Sequence, residues 1–302
     1  MANRTNNASG RSLINIVLKV LNFGRRQIAM LWMALMHLLD GGGTLLAGHI
    51  AFATLFALFP FLIFLTALAG EFGQSGAAQA FVELGLGAMP EEVRAAIEPS
   101  VGEVLKGGRQ GLMTLSILLS LWAVSSAFEA TRYALNLAYD VKKTRAIWWQ
   151  RLQSLFMVLT FAVFIIIAML IVVAAPFAWT LAEFFELQPV KWQTTYRFVR
   201  FGLSIILMVF FVVPLYRWLP NRQLGIVEVL PGAIVAVVVW LGAGSLYSWY
   251  LQNLGRFTVT YGSLGGIIAT LMFFYITALI LIFGAEVNAA RRRMRGAGLF
   301  KA

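Results

Sequence analysis

The stretch FTVTYGSLGGIIATLMFFYITALILIFGA, residues 257–285, contains 29 residues and no charged side chain. A helix of about 20 apolar residues crosses the roughly 30 Å hydrocarbon core of a bilayer. An apolar run of only about 10–14 residues would instead favour a buried helix of a soluble domain. Residues 257–285 are therefore predicted to form a membrane-spanning helix.

Five further apolar windows make six predicted spans, so the sequence indicates an all-α polytopic membrane protein. These windows are Thr44–Ala69, Gly111–Phe128, Leu152–Ala182, Phe201–Tyr216 with its extension to Phe198, and Val229–Gly255. The composition agrees, because 60% of the residues are hydrophobic and 12% are charged, whereas soluble domains carry about 25% charged residues. This balance excludes a soluble globular protein and makes membrane lipids the expected partner.

The N-terminal 43 residues differ from the six windows because basic and apolar side chains alternate within them, as in an amphipathic helix at a membrane interface. The interrupting basic residues are Arg11, Lys19, Arg25 and Arg26. We divide the chain into this amphipathic segment (1–43), a six-helix membrane domain (44–290) and a basic cytoplasmic tail (291–302). Three glycines at 41–43 predict a hinge before the first span, since no GK[ST] follows to make a phosphate-binding loop.

The basic residues are distributed unequally between the two sides of this six-span arrangement. Segments on the side of the N-terminus hold 17 of the 24 Lys and Arg residues, and the opposite segments hold 7. Because cytoplasmic loops carry the excess of Lys and Arg, both termini are predicted to be cytoplasmic. The net charge of +11 then divides into about +12 facing the anionic headgroups of the cytoplasmic side and about −1 outside, which removes the argument for a nucleic-acid partner.

The largest segment outside the predicted spans is the outer loop, residues 70–110. Within it, MPEEVRAAI places Pro90 at a first helical position and Glu91 and Glu92 in the first turn. This arrangement predicts a short helix, since proline is tolerated and acids are favourable there. No segment outside the spans is long enough for a separate catalytic domain.

Catalytic side chains are scarce, because the chain contains two histidines (His37 and His49), two aspartates (Asp40 and Asp140) and no cysteine. Metal-dependent hydrolases need several converging carboxylates and imidazoles. We therefore expect no metal site, no cofactor and no enzymatic activity. His37 and Asp40 are three residues apart, which is close enough on a helix for the two side chains to pair.

Polar residues at helical spacing follow one face of the second span and predict a polar cluster at the cytoplasmic side. Glu129 and Arg132 can pair, and Glu286 of the sixth span lies at a similar depth, where it could meet Arg132 or the arginines near residue 291. Either a structural ion pair with polar contacts between helices or a polar vestibule would explain these residues. The predicted cluster consists of Glu129, Arg132, Asn136 and Glu286.

Three further polar residues within the spans are candidates for substrate contact, namely His49, Ser125 and Tyr275. A histidine near a membrane end more often bonds between helices, although proton relay and substrate contact are the functional alternatives. Tyr275 shares a helix face with Glu286, because eleven residues make about three turns.

Six motifs occur in order between about residue 30 and residue 290. They are ATLFALFP ending at Pro60, LWAVSSAFEATRYALNLAYDV from Leu121, YRWLPN from Tyr216, PGA from Pro231, YGSLGG from Tyr261 and FYITALILIFGAEVNA from Phe274. In this order and spacing they resemble the YihY/BrkB family of bacterial inner-membrane proteins. The resemblance implies six membrane helices, a bacterial inner-membrane location, and virulence or serum resistance in some members. It also brings an old ribonuclease name, which the scarcity of histidine and aspartate does not support.

The expected function is a permease or exporter of an unidentified lipidic or amphiphilic solute, because polar span faces occur without catalytic machinery. The alternative is a non-transporting envelope-assembly or interaction protein whose outer loop binds a periplasmic partner. A polar cavity in the bundle would favour transport, whereas a polar face consumed by internal pairing would favour the alternative. The sequence leaves the substrate, the energy source and the oligomeric state open.

Overall fold

The computed structural model describes residues 24–72, 110–141, 145–184, 192–253 and 263–296, and these parts contain seven helices and no strand. The helices are α1 (Gly24–Asp40), α2 (Gly43–Phe72), α3 (Gln110–Ala138), α4 (Ile147–Phe184), α5 (Trp192–Trp218), α6 (Ile226–Asn253) and α7 (Ser263–Gly296). The described part of each of the six predicted windows falls on one of the helices α2 to α7, and residues 254–255 and 257–262 of the last two windows lie outside the described residues. The all-α class is therefore confirmed for the described residues.

Three of these helices are long and apolar enough to cross a membrane. The qualifying parts are Ile147–Ile165 in α4, Ile226–Leu251 in α6 and Gly265–Gly296 in α7. The bent pair of α1 and the part of α2 up to Leu58 is a fourth candidate if it forms one span. The described residues thus contain three or four candidate spans, and the count of six stays a prediction.

The helices α2 to α7 pack as a closed ring in which each helix contacts the next along the chain and α7 returns to α2. The most extensive contact is between α2 and α3, where Ala47, Ala53, Ala130 and Ala134 are buried together. Such small residues let helix backbones approach closely. The least extensive contact in the ring is between α4 and α5, and we call this joint the α4–α5 seam.

Helices α6 and α7 cross at two glycines, Gly232 and Gly284. A Cβ atom added to Gly284 would lie 2.7 Å from the Gly232 carbonyl oxygen and 2.8 Å from the Cβ of Ala236. Any larger residue at Gly284 must therefore push the two helices apart. Tyr216 of α5 reaches the same region and donates its hydroxyl hydrogen bond to the Leu281 carbonyl at 2.6 Å.

The chain bends at the predicted hinge before the first span, where α1 and α2 meet at an angle of 71°. Gly42 lies in this bend with φ +73°, a left-handed conformation that side chains other than glycine rarely adopt. Helix α1 folds against α7 through Met30 and Ala34, while Ile28 and Trp32 on its other side are exposed. Residues 1–23 and most of the outer loop lie outside the described residues, so the rest of the amphipathic segment and the helix near Pro90 stay predictions.

Candidate functional site

Arg132 on α3 is the most deeply buried charged side chain in the described residues, with 2% of its surface exposed. Its guanidinium donates to the Gln150 carbonyl at 2.8 Å and to the Ser154 hydroxyl at 2.6 Å, both on α4. It also donates to the Leu219 carbonyl at 3.3 Å, just beyond the end of α5. A single planar cation thus joins three helices, a task that suits the fixed donor geometry of arginine.

The neighbouring polar residues of α3 also bind the ends of α4 and α5. The backbone N–H of Asn221 donates to the Asn136 side-chain oxygen at 2.7 Å, which fixes the turn after α5. Glu129 pairs with Arg151 of α4 at 3.3 Å. Glu129, Arg132 and Asn136 of the predicted polar face are thus each used in a contact with another helix or with the turn that follows it.

Glu286 of α7 belongs to a different group of residues. Its carboxylate lies 2.9 Å from the His37 Nδ1 of α1 and 3.8 Å from Arg293. Arg293 also approaches the His37 Nε2 at 3.2 Å. The imidazole therefore lies between the carboxylate and the guanidinium. The approach of Nδ1 to the carboxylate is close but does not have hydrogen-bond geometry.

These contacts correct the prediction of one polar cluster. Glu129, Arg132 and Asn136 lie together on α3, whereas Glu286 lies with α1 and the end of α7. Within the described residues, neither the direct Arg132–Glu286 contact nor the Glu129–Arg132 pair is formed, because each group has a nearer partner on another helix. His37 likewise contacts Glu286 instead of its helix neighbour Asp40.

The three candidate substrate-contact residues are not brought together. His49 lies on the exposed face of α2 that also carries Leu45 and Phe52. Ser125 is buried, and its hydroxyl bonds back to the Trp122 carbonyl of its own helix at 2.9 Å. Tyr275 is half-buried against the cluster shared by α2, α3 and α7. Their role in substrate contact stays a prediction.

Asn288 of α7 forms a buried polar network that sequence reasoning missed. Its side chain accepts from the Gly232 N–H at 2.7 Å and donates to the Val229 carbonyl at 3.0 Å, on either side of Pro231 in α6. It also donates to the Tyr139 hydroxyl at 3.2 Å. Tyr139 is the residue that follows α3. Burial raises the pKa of its hydroxyl, so Tyr139 stays protonated. The one available signal was the proline, since a proline inside a helix leaves backbone groups that need other partners.

An open groove of about 800 Å³ lies at the α4–α5 seam. The start of α4, the end of α5 and the loop that leads to α6 form its walls. Three arginines and three aromatic residues are prominent in it, namely Arg145, Arg217, Arg222, Trp149, Phe156 and Trp218. The sequence feature that could have indicated this groove is the occurrence of arginine close to tryptophan at the ends of apolar windows, as in Arg217 and Trp218.

Arg132 of α3 forms hydrogen bonds to residues that adjoin the lining of this groove. Arg132 bonds to Ser154 and Leu219, which are the immediate neighbours of the groove residues Gln153 and Trp218. Gln153 itself donates across the seam to the Trp218 carbonyl. In the described part of the chain, no three His, Asp or Glu residues come together in a way that could hold a metal ion.

Comparison with known proteins identifies the family. The family model described as Virulence factor BrkB matches residues 34–300. The chain belongs to the BrkB family. This match confirms the resemblance carried by the six sequence motifs, and it includes every residue of the groove and of the two polar groups. No solved structure matches this BrkB-family chain.

Several curated relatives match most of the BrkB-family chain. YfkH of Bacillus subtilis, described as a ribonuclease-like protein, is 29% identical over 248 residues, which are 80% of this chain and 88% of that protein. A UPF0761 membrane protein of Alteromonas mediterranea is 26% identical over 265 residues, 82% of each chain. Another of Aliivibrio fischeri is 26% identical over 261 residues, 84% of this chain and 80% of that protein. With its apolar helices, this BrkB-family chain is a membrane protein.

Proposed function

We propose that this chain is a six-span inner-membrane permease or exporter of an amphiphilic solute, with both termini in the cytoplasm. The observation that carries the proposal is the groove at the α4–α5 seam. The α4–α5 contact is the least extensive between neighbouring helices of the ring, so this joint is held together by the fewest contacts. The groove opens at that contact and presents both charged and apolar side chains.

The polar face of α3 does not support a vestibule lined by that helix, because its polar groups are engaged in bonds to α4 and α5. Those bonds instead support a positioning role for α3. Arg132 joins the start of α4 to the end of α5, which holds the two walls of the groove in place relative to each other. The proposed path therefore follows the seam and not the centre of the polar face.

The proposal includes no enzymatic step. The ribonuclease-like description belongs to the Bacillus relative, and the residues that would be needed for hydrolysis are not assembled in the described part of this chain. The two polar groups are each accounted for by contacts between helices. We therefore assign them structural roles and assign solute contact to the groove.

Cross-linking of the seam tests the proposal, and the absence of native cysteine means that introduced thiols are the only ones present. The rings of Phe156 and Trp218 face each other across the seam with centroids 6.5 Å apart. The matched control pair is Trp240 and Phe273, 6.1 Å apart across the well-packed contact of α6 and α7. Each pair is changed to cysteine and bridged with a short, reducible bifunctional reagent.

The assay uses proteoliposomes that contain a short-chain fluorescent phospholipid and follows its extraction by albumin as it reaches the outer leaflet. We expect the protein to accelerate extraction, the seam cross-link to abolish the acceleration, and reduction to restore it. The control cross-link should leave the rate unchanged. Extraction no faster than from empty liposomes would overturn the permease proposal and favour the envelope-assembly alternative. An unchanged rate with the seam bridged would overturn the seam as the path.

A further inference from the structure

The groove at the α4–α5 seam is strongly cationic. Arg145, Arg217 and Arg222 contribute to its lining, and no lining residue among those described is acidic. The nearby Glu129 is neutralised by Arg151, which is not part of the lining. Three positive charges without a facing carboxylate attract an anion and repel a cationic ligand.

Most hydrogen-bond donors of these arginines remain available for a ligand. Arg145 donates one bond to the Gln153 side chain at 3.3 Å, and Arg222 donates one to the Tyr139 carbonyl at 3.2 Å. Each guanidinium has five N–H donors, so one protein contact holds its position while the others can bind oxygen atoms. Planar guanidinium groups match phosphate oxygens in pairs.

Arg145 precedes α4 at the charged end of the groove, and the lining along α4 is mostly apolar. Trp149 and Gln153 are followed by Phe156 and Met157, and the rise from Trp149 to Phe156 is about 10 Å along the helix. A free inorganic anion would use the charged end and leave this apolar wall exposed. An occupant that covers both parts must carry an anionic head and a hydrocarbon chain.

Aromatic residues indicate where this charged end lies relative to a membrane. Trp148 and Trp149 at the start of α4 are 87% and 62% exposed, and Trp218 at the end of α5 is 45% exposed. Tryptophan is favoured at the headgroup level of a bilayer. The three arginines of the groove occur beside these tryptophans, and therefore at the level where lipid phosphates are found.

We infer that the groove at the α4–α5 seam binds a glycerophospholipid from the surrounding leaflet, with its phosphate on Arg145, Arg217 and Arg222 and its acyl chain along Phe156. The inference rests on the proposed function only in taking the same groove as the solute site. It names the solute class as an anionic phospholipid, and binding of this lipid does not require that it be transported.

The test measures lipid binding to the full chain in a nonionic detergent by native mass spectrometry. The probes are phosphatidylglycerol, phosphatidylcholine, diacylglycerol and inorganic phosphate. The groove variant is Arg145→Gln/Arg217→Gln/Arg222→Gln, and the matched control is Arg25→Gln/Arg26→Gln/Arg295→Gln, which removes the same charge from exposed positions outside the groove. Arg217→Lys, which keeps the charge, serves as a milder variant.

We expect phosphatidylglycerol to bind more tightly than the other three probes. The groove variant should weaken phosphatidylglycerol binding about 100-fold, at about fivefold for each arginine, while the control stays within about twofold. Arg217→Lys keeps the charge and loses only the paired guanidinium contact, so it should weaken binding by less than the roughly fivefold expected for loss of an arginine, which separates loss of charge from loss of fold. Equal losses in both triple variants, equal binding of phosphatidylcholine, or phosphate binding as tight as that of the lipid would each overturn the inference.

This outcome is distinguishable from that of the cross-linking experiment. Selective loss of phosphatidylglycerol binding in the groove variant, without any lipid movement in proteoliposomes, would support the lipid site and refute the permease. If the seam cross-link stops lipid movement but the groove variant binds phosphatidylglycerol as tightly as the original protein, the permease is supported and the anionic lipid site is refuted.

Discussion

Replacing Arg132 with methionine removes a buried cation that joins α3, α4 and the end of α5. Three hydrogen bonds disappear, to the Gln150 carbonyl, the Ser154 hydroxyl and the Leu219 carbonyl. Hydrogen bonds from a charged donor are worth about 1.5–3 kcal/mol each, and buried acceptors left unpaired retain a desolvation cost. Relief of the desolvation of the guanidinium itself offsets part of this loss. We expect the free energy of unfolding to fall by about 2–4 kcal/mol.

The measurement is unfolding of the purified protein in detergent, with a double-mutant cycle to locate the effect. Arg132→Met and Ser154→Ala share one hydrogen bond, so their combined effect should differ from the sum by about 1 kcal/mol or more. Arg132→Met and Glu286→Gln act on separate groups of residues, so their effects should add within about 0.5 kcal/mol. The second pair is the control for the first.

Two results would contradict this reasoning. An Arg132→Met protein as stable as the original would mean that the guanidinium does not hold the three helices together. A coupling between Arg132 and Glu286 as large as that between Arg132 and Ser154 would restore the single polar cluster expected from the sequence. It would then contradict the separate partners that the structure gives to the two residues.

Three further predictions concern other parts of the chain. Gly284→Ala should destabilise the protein by about 1–3 kcal/mol in the same unfolding assay because the added methyl group overpacks the crossing of α6 and α7, whereas Gly244→Ala meets open space and should not. Phosphatase fusions should be inactive at Ala302 and active near Gly87 if both termini are cytoplasmic, and the reverse pattern would invert the topology. The purified protein should show no intrinsic RNA cleavage, and cleavage that disappears in Glu286→Gln would contradict the absence of enzymatic activity.

The helices could be predicted from the sequence because an uncharged apolar run is a local property. The described part of each predicted window falls on one helix, and a bend lies at the glycines 41–43, where a hinge was predicted. The partners of Arg132 could not be predicted in the same way. Two of its three acceptors are backbone carbonyls, and every residue carries one, so no side-chain pattern distinguishes Leu219 from its neighbours.

The helical spacing of polar residues also identified which face of a helix they share, but it did not identify the helix that packs against that face. Glu286 was expected near the second span because both lie at the same predicted depth. The hinge after α1 instead brings His37 back against α7, where it lies 2.9 Å from the carboxylate. The sequence predicts only the depth of Glu286 along the membrane normal. Which of two residues at that depth it contacts depends on how the helices pack beside one another.

The arginines of the groove illustrate the same limit most clearly. In the sequence, Arg145, Arg217 and Arg222 belong to the count of basic residues on one side of the membrane, and Arg217 is also part of the YRWLPN motif. Such a count sets orientation, since it concerns the side on which charges lie and not their lateral positions. The fold brings the start of α4 beside the end of α5, and two loops that are distant in sequence then contribute to one groove. Charges that orient the chain can therefore also form a binding site, and this second use becomes visible only when neighbouring helices are known.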